Sequence, residues 1–200
     1  VSDYLNPADS LLEGKNKQGN FDIAGRYKHL QKWGHVQLAG IFRRIDYLND
    51  DHIDELYGWG ILLSSVYKLN EKNTFYTQYS LGESIANYYV GFSNRQLDAV
   101  YDPEADNMTR KFIQGGFLTY THIFSPVWRF SATFGLSNLE DKDFEPAETF
   151  KSSRYVAVNI FYYPIETINI GLEYTAGSRT NKDDQTGQAT RISMIAGFSF

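Results

Sequence analysis

The sequence has 200 residues and a mass of 23.0 kDa, contains no cysteine, and has a formal net charge of −5 at pH 7. The lack of cysteine excludes disulfide scaffolds, iron–sulfur clusters, cysteine-based zinc sites and cysteine nucleophiles, and the acidic balance without a basic face argues against nucleic-acid binding. Aromatic residues make up 16 % of the chain although its mean hydropathy is −0.42, and no apolar run reaches the roughly 18 residues of a membrane helix, so the composition indicates strands with alternating apolar and polar residues.

This alternation predicts about nine strands. In chain order they cover residues 21–30, 36–47, 57–69, 75–82, 112–124, 128–137, 154–163, 167–177 and 191–200. The pattern is clearest in the last two strands, which have about ten residues each, the length that a tilted strand needs to cross a bilayer. The strand at 154–163 is apolar on both faces, so the sequence leaves its facing open.

The connections between the predicted strands alternate in length. Short turns lie near residues 31–34, 70–73, 125–127 and 164–166, and long polar connections lie near 48–55, 83–107, 139–148 and 180–187. This asymmetry is typical of an up-and-down barrel in a bacterial outer membrane, with tight periplasmic turns and longer external loops. Acidic residues gather in the long connections, which accounts for most of the negative charge.

The predicted fold class is therefore all-β, a transmembrane antiparallel up-and-down β-barrel. Nine strands is an odd number, whereas single-chain bacterial barrels have an even one. An open sheet would also expose two unpaired edges to lipid. We therefore expect residues 1–200 to be a single C-terminal portion of a larger outer-membrane barrel, with further strands before residue 1 and any signal peptide removed or located upstream.

Several short segments resemble the C-terminal half of the DcaP-like porins, which are outer-membrane channels of Gram-negative bacteria. They are residues 33–44 (WGHVQLAGIFRR), 82–89 (GESIANYY), 97–102 (LDAVYD), 154–159 (RYVAVN), 164–166 (PIE), 171–174 (GLEY) and the terminal Phe200. The resemblance runs in order over most of the chain from about residue 21. It implies a sixteen-stranded barrel that assembles as a homotrimer and passes small organic acids, with the first half of the barrel and an N-terminal helical extension outside this sequence.

If the apolar residues face lipid, the opposite face of the strands lines a water-filled interior. The charged pore-lining candidates are then Arg26, Lys28, Arg43, Lys68, Arg129, Glu173, Arg179 and Arg191. Their excess of positive charge predicts a preference for small anionic or dicarboxylate-like solutes, because a cationic wall lowers the entry energy of anions. The alternative is that the arginines pair with carboxylates across the interior and stiffen the wall. Strand parity places Arg43 inside and Arg44 outside, near the external rim and lipopolysaccharide phosphates.

The longest connection, residues 83–107, is a candidate constriction of the pore. Its constriction candidates are Tyr88, Tyr89, Asn94 and Arg95, because tyrosine and asparagine can hydrogen-bond a solute and arginine can attract an anion. The order of Gly, Asn, Asp and Pro in this segment favours a folded loop over a membrane-spanning hairpin. The sequence leaves open whether the loop enters the interior, covers the top of the barrel or contacts another protomer.

The end of the chain predicts an assembly signal. Phe198 and Phe200 are similar to the terminal strand signal that the barrel-assembly machinery reads during insertion, since an aromatic is required on the lipid face at the membrane interface. The other predicted partners are outer-membrane lipid and lipopolysaccharide, small anionic solutes and two further copies of the chain.

Catalytic chemistry is not indicated by the sequence. The four histidines, His29, His35, His52 and His122, are scattered without the spacing of a zinc motif, and no serine lies in a nucleophile elbow. We therefore predict no catalytic residue, no metal and no cofactor. Two other functions stay open: an outer-membrane enzyme acting on lipid or lipopolysaccharide, and a soluble lipocalin-like barrel that binds an apolar ligand.

Overall fold

The computed structural model describes residues 15–17, 21–49, 52–93 and 97–199, and most of them belong to antiparallel strands. The strands are β1 (Lys15–Lys17), β2 (Ile23–Gln31), β3 (Gly34–Asn49), β4 (His52–Lys68), β5 (Asn73–Glu83), β6 (Ala99–Asp102), β7 (Asn107–Arg110), β8 (Phe112–Ser125), β9 (Trp128–Leu139), β10 (Phe150–Ile165), β11 (Ile168–Asn181) and β12 (Thr186–Phe198). A short 3-10 helix spans Ala86–Tyr88. Over the described ranges, no helix is long and apolar enough to cross a membrane.

Ten of the strands form one antiparallel sheet. β1 and β2 both pair with β3, β1 beside residues 46–48 and β2 beside residues 34–42, so together they occupy one edge position. The order then continues through β4, β5, β8, β9, β10, β11 and β12. The described chain therefore has nine strand positions in an up-and-down meander, which confirms the predicted all-β fold class.

The pairing register divides the sheet into two faces, because directly paired residues of antiparallel strands share a face. Leu118 lies opposite Phe134, and Phe134 lies opposite Val156; we call their side the apolar face. Its large exposed side chains run from β3 to β12: Leu38, Leu63, Tyr79, Leu118, Phe134, Ile160, Leu172, Ile192 and Met194. The other side, where Ser80 pairs with Gly115, is the polar face. A continuous exposed apolar face is what contact with lipid requires.

β10 shows why a strand can be apolar on both sides of this sheet. Its register places Ile160 on the apolar face and Tyr155 and Phe161 on the polar face. Each aromatic ring covers a glycine of the neighbouring strand: a Cβ added at Gly135 would lie 2.1 Å from the Tyr155 ring, and one added at Gly171 would lie 2.4 Å from the Phe161 ring. The glycines leave the space that the rings fill, which sets the facing that the sequence left open.

The external connections differ from the prediction in length. Those predicted near 48–55 and 180–187 are shorter, because β3 and β4 stay paired as far as Asn49 and His52 and the β11–β12 ladder extends in the same way. Polar side chains do not end a β-ladder, since the backbone hydrogen bonds continue beyond the apolar part of the strand. The connection predicted at 83–107 extends to residue 111 and contains a hairpin in which β6 pairs with β7 over four residues each. This hairpin is too short to cross a membrane.

Candidate functional site

Charged side chains are collected on the polar face of the sheet. The register places there all eight residues that the sequence assigned to the interior: Arg26, Lys28, Arg43, Lys68, Arg129, Glu173, Arg179 and Arg191. Strand alternation accounts for this locally, since residues two positions apart share a face. Seven of the eight are cationic. Their role in lining a channel stays a prediction.

Two of these arginines are exposed and have polar partners. Arg191 Nη2 lies 3.7 Å from Glu173 Oε1, and the Arg191 side chain is 70 % exposed. Arg179 donates from Nε to Asn181 Oδ1 at 2.8 Å and from Nη2 to the backbone oxygen of Glu148 at 3.1 Å. Exposed pairs of this kind contribute roughly 0–1 kcal/mol to stability. The two guanidinium groups therefore stay accessible to a solute.

Four other cations of the polar face form no ion pair with the carboxylates of the described chain: Arg26, Lys28, Lys68 and Arg129. The Arg129 guanidinium carbon lies 4.6 Å from the centre of the Tyr163 ring. This contact orients the side chain and leaves its charge uncompensated. The polar face therefore has a local excess of positive charge, although the whole sequence is acidic.

Between β5 and β8, residues 84–93 and 97–111 fold onto the polar face, and we call these residues the inserted loop. Ile85 and Ala86 are 4 % and 1 % exposed. They form a buried apolar cluster with residues of three strands, Ile113, Leu139 and Phe150. Burying this apolar surface favours the folded loop by about 25 cal/mol for each Å² removed from water. The loop thus covers the ends of several strands on the polar face.

Three glycines on adjacent strands make the space for the inserted loop. A Cβ added at Gly60 of β4 would lie 2.7 Å from Ile85 Cδ1, and one at Gly58 would lie 3.0 Å from Ser84 Cβ. One added at Gly82 of β5 would lie 2.1 Å from the Trp59 backbone oxygen and 2.8 Å from Ile85 Cδ1. Glycine permits this close approach because it has no side chain. The spacing of Gly58, Gly60 and Gly82 is the sequence signal that could have located the contact surface of the loop.

Arg43 connects the polar face to the inserted loop. Its Nη1 donates to Asp98 Oδ2 at 2.7 Å and to the backbone oxygen of Ser84 at 3.1 Å. Its Nε lies 3.6 Å from Asp22 Oδ1, and its guanidinium carbon lies 5.2 Å from the centre of the Tyr88 ring. Burial raises the pKa of Asp98, although the Arg43 charge acts in the opposite direction. Closing the loop over this carboxylate therefore has a desolvation cost.

Two of the four constriction candidates, Tyr88 and Tyr89, lie in the inserted loop. The Tyr89 hydroxyl accepts from Ser80 Oγ at 2.7 Å and donates to the Ser80 backbone oxygen at 2.9 Å, so Tyr89 contacts the polar face of β5. The Tyr88 hydroxyl donates to the Asp22 carboxylate, and burial together with this hydrogen bond raises the pKa of Tyr88 to about 12. The remaining candidates, Asn94 and Arg95, lie outside the described residues.

A buried ion pair connects the base of the inserted loop to the β9–β10 connection. Lys111 Nζ contacts Glu145 Oε1, and both side chains are 1 % exposed. Burial lowers the pKa of Lys111, although the hydrogen bond to Glu145 acts in the opposite direction. The other Glu145 oxygen accepts the backbone N–H of Lys142 at 2.7 Å, and the Ser84 N–H donates to the Lys111 backbone oxygen at 2.9 Å. No local sequence pattern indicates this pair, because its two residues are 34 positions apart.

The apolar face carries two other features predicted from the sequence. Arg44 lies on this face towards the external connections, where its Nε donates to Asp46 Oδ1 at 2.7 Å and its Nη2 pairs with Glu55. Its charge is thus compensated by two carboxylates. Phe198 is 67 % exposed opposite Ile168, and Phe200 lies outside the described residues. In the described ranges no three His, Asp or Glu side chains converge in a way that could hold a metal ion.

Comparisons with known proteins gave one family match and two structural matches. A family model described as DcaP outer membrane protein matches residues 9–200. The chain is similar to the crystal structure of the outer membrane channel DcaP of Acinetobacter baumannii, with a TM-score of 0.82, 16 % identity, and coverage of 96 % of this chain and 55 % of that chain. It is also similar to the NanC porin in a rhombohedral crystal form, with a TM-score of 0.49, 12 % identity, and coverage of 94 % and 97 %. The chain spans about half the length of the DcaP channel, and curated protein sequences gave no match.

Proposed function

Since the chain belongs to the DcaP outer membrane protein family, we propose that it forms part of the wall of a passive diffusion channel that favours small anionic or dicarboxylate-like solutes. Membership confirms the resemblance seen in the sequence. The family and the fold give a β-barrel of the bacterial outer membrane. This location removes the soluble lipocalin-like alternative. The exposed apolar face is then the lipid-facing surface.

The observation that carries the proposal is the uncompensated positive charge of the polar face. Arg26, Lys28, Lys68 and Arg129 have no carboxylate partner in the part of the chain that the structure describes. A wall with this excess raises the local concentration of anions and lowers the energy of their entry, and low-dielectric protein around a water-filled pore strengthens the effect.

The inserted loop supplies the narrowing in the proposed mechanism. It occupies the polar face near the external connections, where the Tyr88 side chain is exposed and the Tyr88 and Tyr89 hydroxyl groups are bonded to Asp22 and Ser80. A solute passing this segment loses part of its hydration shell and exchanges it for contacts with the wall. Selection then combines charge steering with size, and needs no covalent step and no cofactor.

Other parts of the proposal rest on the family resemblance. The full-length protein is proposed to close a sixteen-stranded barrel and to assemble as a homotrimer. Phe198 and Phe200 are proposed to serve as the signal for the barrel-assembly machinery, and the apolar face and external rim to contact lipid and lipopolysaccharide. The protein is proposed not to be an enzyme, in contrast to the lipid-modifying alternative. Turnover of purified lipopolysaccharide or phospholipid by the folded protein would contradict that part.

Planar-bilayer recording of the full-length protein in a potassium chloride gradient tests the selectivity. We expect a reversal potential that shows chloride preference and, for the triple variant Arg26→Gln, Lys28→Gln, Arg129→Gln, a several-fold lower chloride-to-potassium permeability ratio. A unit charge about 8 Å from the ion changes its energy by about 0.5 kcal/mol in water, or about twofold per charge, before screening by salt.

Arg154→Gln is the matched control for that triple variant. Arg154 lies on the apolar face opposite Leu136, so its replacement removes a charge without changing the polar face. We expect its permeability ratio to equal that of the parent. Cation-selective parent currents, or equal ratios in the parent and the triple variant, would overturn the anion preference.

A further inference from the structure

We propose that Arg43 is a positioning residue that holds the inserted loop on the polar face, and that it does not belong to the cations that attract solutes. The inference deepens the proposed channel function and rests on it. Strand alternation places Arg43 on the same face as four other cations, Arg26, Lys28, Lys68 and Arg129. The proposal gives Arg43 a different role from theirs.

The charge of Arg43 is already compensated. Its guanidinium lies between two carboxylates, Asp98 at 2.7 Å and Asp22 at 3.6 Å, so the local group has a formal charge of −1. The Arg43 side chain is 14 % exposed, whereas that of Arg191 on the same face is 70 % exposed. A solute therefore meets little of this cation and is not attracted by the group as a whole.

The contacts of Arg43 are distributed over the inserted loop. The guanidinium reaches Ser84 at the start of the loop, Tyr88 in the 3-10 helix and Asp98 beside the β6–β7 hairpin. Asp98 in turn accepts the backbone N–H of Asn87 at 2.9 Å. One side chain of β3 thus contacts three separated points of the loop, because Nη1 donates to two of them and the planar guanidinium lies over the ring at the third. A lysine ammonium is a point charge on a flexible stem and has no planar face to place over that ring.

The balance of desolvation and attraction in the Arg43–Asp98 pair favours a role in positioning the loop. Taking Asp98 out of water has a cost that its attraction to Arg43 does not fully repay, as the raised pKa of Asp98 indicates. A buried ion pair of this kind adds little net stability, but removing one partner is strongly unfavourable because the other charge stays buried without compensation. The closed loop therefore depends on both partners being present.

The experiment measures loop release without using ion current. Full-length protein in detergent carries Ala86→Cys as its single cysteine, and the rate of labelling by a small water-soluble maleimide is recorded. Ala86 is 1 % exposed, so the introduced thiol reacts only when the loop leaves the polar face. A second series carries Val90→Cys, which reports folding and reagent access because Val90 is 98 % exposed in the closed loop.

The decisive variant is Arg43→Lys, which keeps the charge and loses the planar guanidinium that reaches Ser84, Tyr88 and Asp98. We expect it to raise labelling of the thiol at position 86 by at least about tenfold, equivalent to about 1.4 kcal/mol. Asp98→Ala, which removes a negative charge, is expected to act in the same direction. Arg26→Gln removes a cation from the same face without touching the loop and is expected to change the rate by less than about twofold. Labelling in the Val90→Cys series stays constant.

Two results would overturn the inference. One is a labelling rate at position 86 that Arg43→Lys and Asp98→Ala both leave unchanged, and the other is an equal increase caused by Arg26→Gln. The channel proposal is judged separately, from the reversal potential of the parent. If the parent is cation-selective and Arg43→Lys releases the loop, the anion preference is contradicted and the positioning role is supported. If the parent is anion-selective and Arg43→Lys does not release the loop, the positioning role is contradicted.

Discussion

Replacing Lys111 by methionine measures what the buried Lys111–Glu145 pair contributes. Both side chains are 1 % exposed, and Glu145 Oε2 also accepts the Lys142 N–H at 2.7 Å. Methionine preserves most of the length of the lysine stem and removes its charge. The Glu145 carboxylate is then left buried with one backbone donor, at the contact between the inserted loop and the β9–β10 connection.

The magnitude follows from two limits. Removing one partner of a buried ion pair costs about 3–5 kcal/mol. The loss of stability cannot exceed the free energy of protonating the carboxylate, because a buried carboxylate can take up a proton. At pH 7 this protonation costs about 3.7 kcal/mol, which is about 1.36 kcal/mol for each pH unit above the ordinary glutamate pKa of about 4.3. At pH 5 the same protonation costs about 1 kcal/mol, which sets the largest loss of stability at that pH. The variant binds this proton more tightly when folded, so its stability relative to the parent is retained at low pH and lost as the pH rises.

Hydrogen exchange of the full-length protein, read by mass spectrometry over residues 140–149, measures the effect. Backbone N–H groups of Glu145 and Thr149 donate to the Lys142 and Pro146 oxygens at 3.0 and 3.1 Å. After correction for intrinsic exchange rates, we expect Lys111→Met to reduce protection by about 500-fold at pH 7 and by about fivefold at pH 5.

Two controls define the result. Lys142→Met breaks a partly exposed pair with Glu140, which contributes about 0–1 kcal/mol. The protection of residues 140–149 from hydrogen exchange in this variant should therefore stay within about fivefold of the parent. The double variant Lys111→Met, Glu145→Gln removes both charges, keeps an acceptor for the Lys142 N–H and should recover most of the protection. A loss below about tenfold at pH 7, or an equal loss at both pH values, would refute the reasoning.

Two further predictions concern a glycine under an aromatic ring and a tyrosine of the inserted loop. Gly135→Ala should lower the free energy of unfolding, measured in urea, by about 1–3 kcal/mol, because its Cβ would overlap the Tyr155 ring. Gly25→Ala is the control, since an added Cβ there meets nothing within 4 Å. An equal loss in both variants would contradict the overlap as the cause. The pKa of Tyr88 is raised to about 12. Its hydroxyl therefore stabilises the closed loop fully below about pH 10, the ordinary tyrosine value, and this stabilisation is lost as the pH rises towards 12. Labelling of Ala86→Cys by iodoacetamide should increase over this interval, and the same increase in the Tyr88→Phe background would exclude Tyr88 as its cause.

Sequence reasoning located the strands and the sides of the sheet because both depend on a local rule. A period of two positions assigns each residue to one side of a strand, whatever the rest of the chain does. Arg26 and Lys28 could therefore be placed together without knowing their neighbours. The rule gave no answer in β10, where Tyr155 and Phe161 fill space above glycines of other strands.

The extent of the external connections could not be read in the same way. Polar side chains near residues 48–55 suggested a loop, but β3 and β4 continue to pair there. The ladder is stabilised by backbone hydrogen bonds, which side-chain hydropathy does not report. The apolar segment of a membrane strand marks its span through lipid, and the strand itself can extend further into water.

The sequence by itself determined the all-β fold, the nine strand positions and the face on which the eight charged candidates lie, because alternation, turn residues and aromatic content are local properties of the chain. Only the tertiary structure decided that the inserted loop returns to the polar face, that Arg43 contacts Asp98 across 55 positions, and that Lys111 is buried with Glu145. Such contacts depend on loop closure and on space left by glycines of other strands, and no local pattern encodes them.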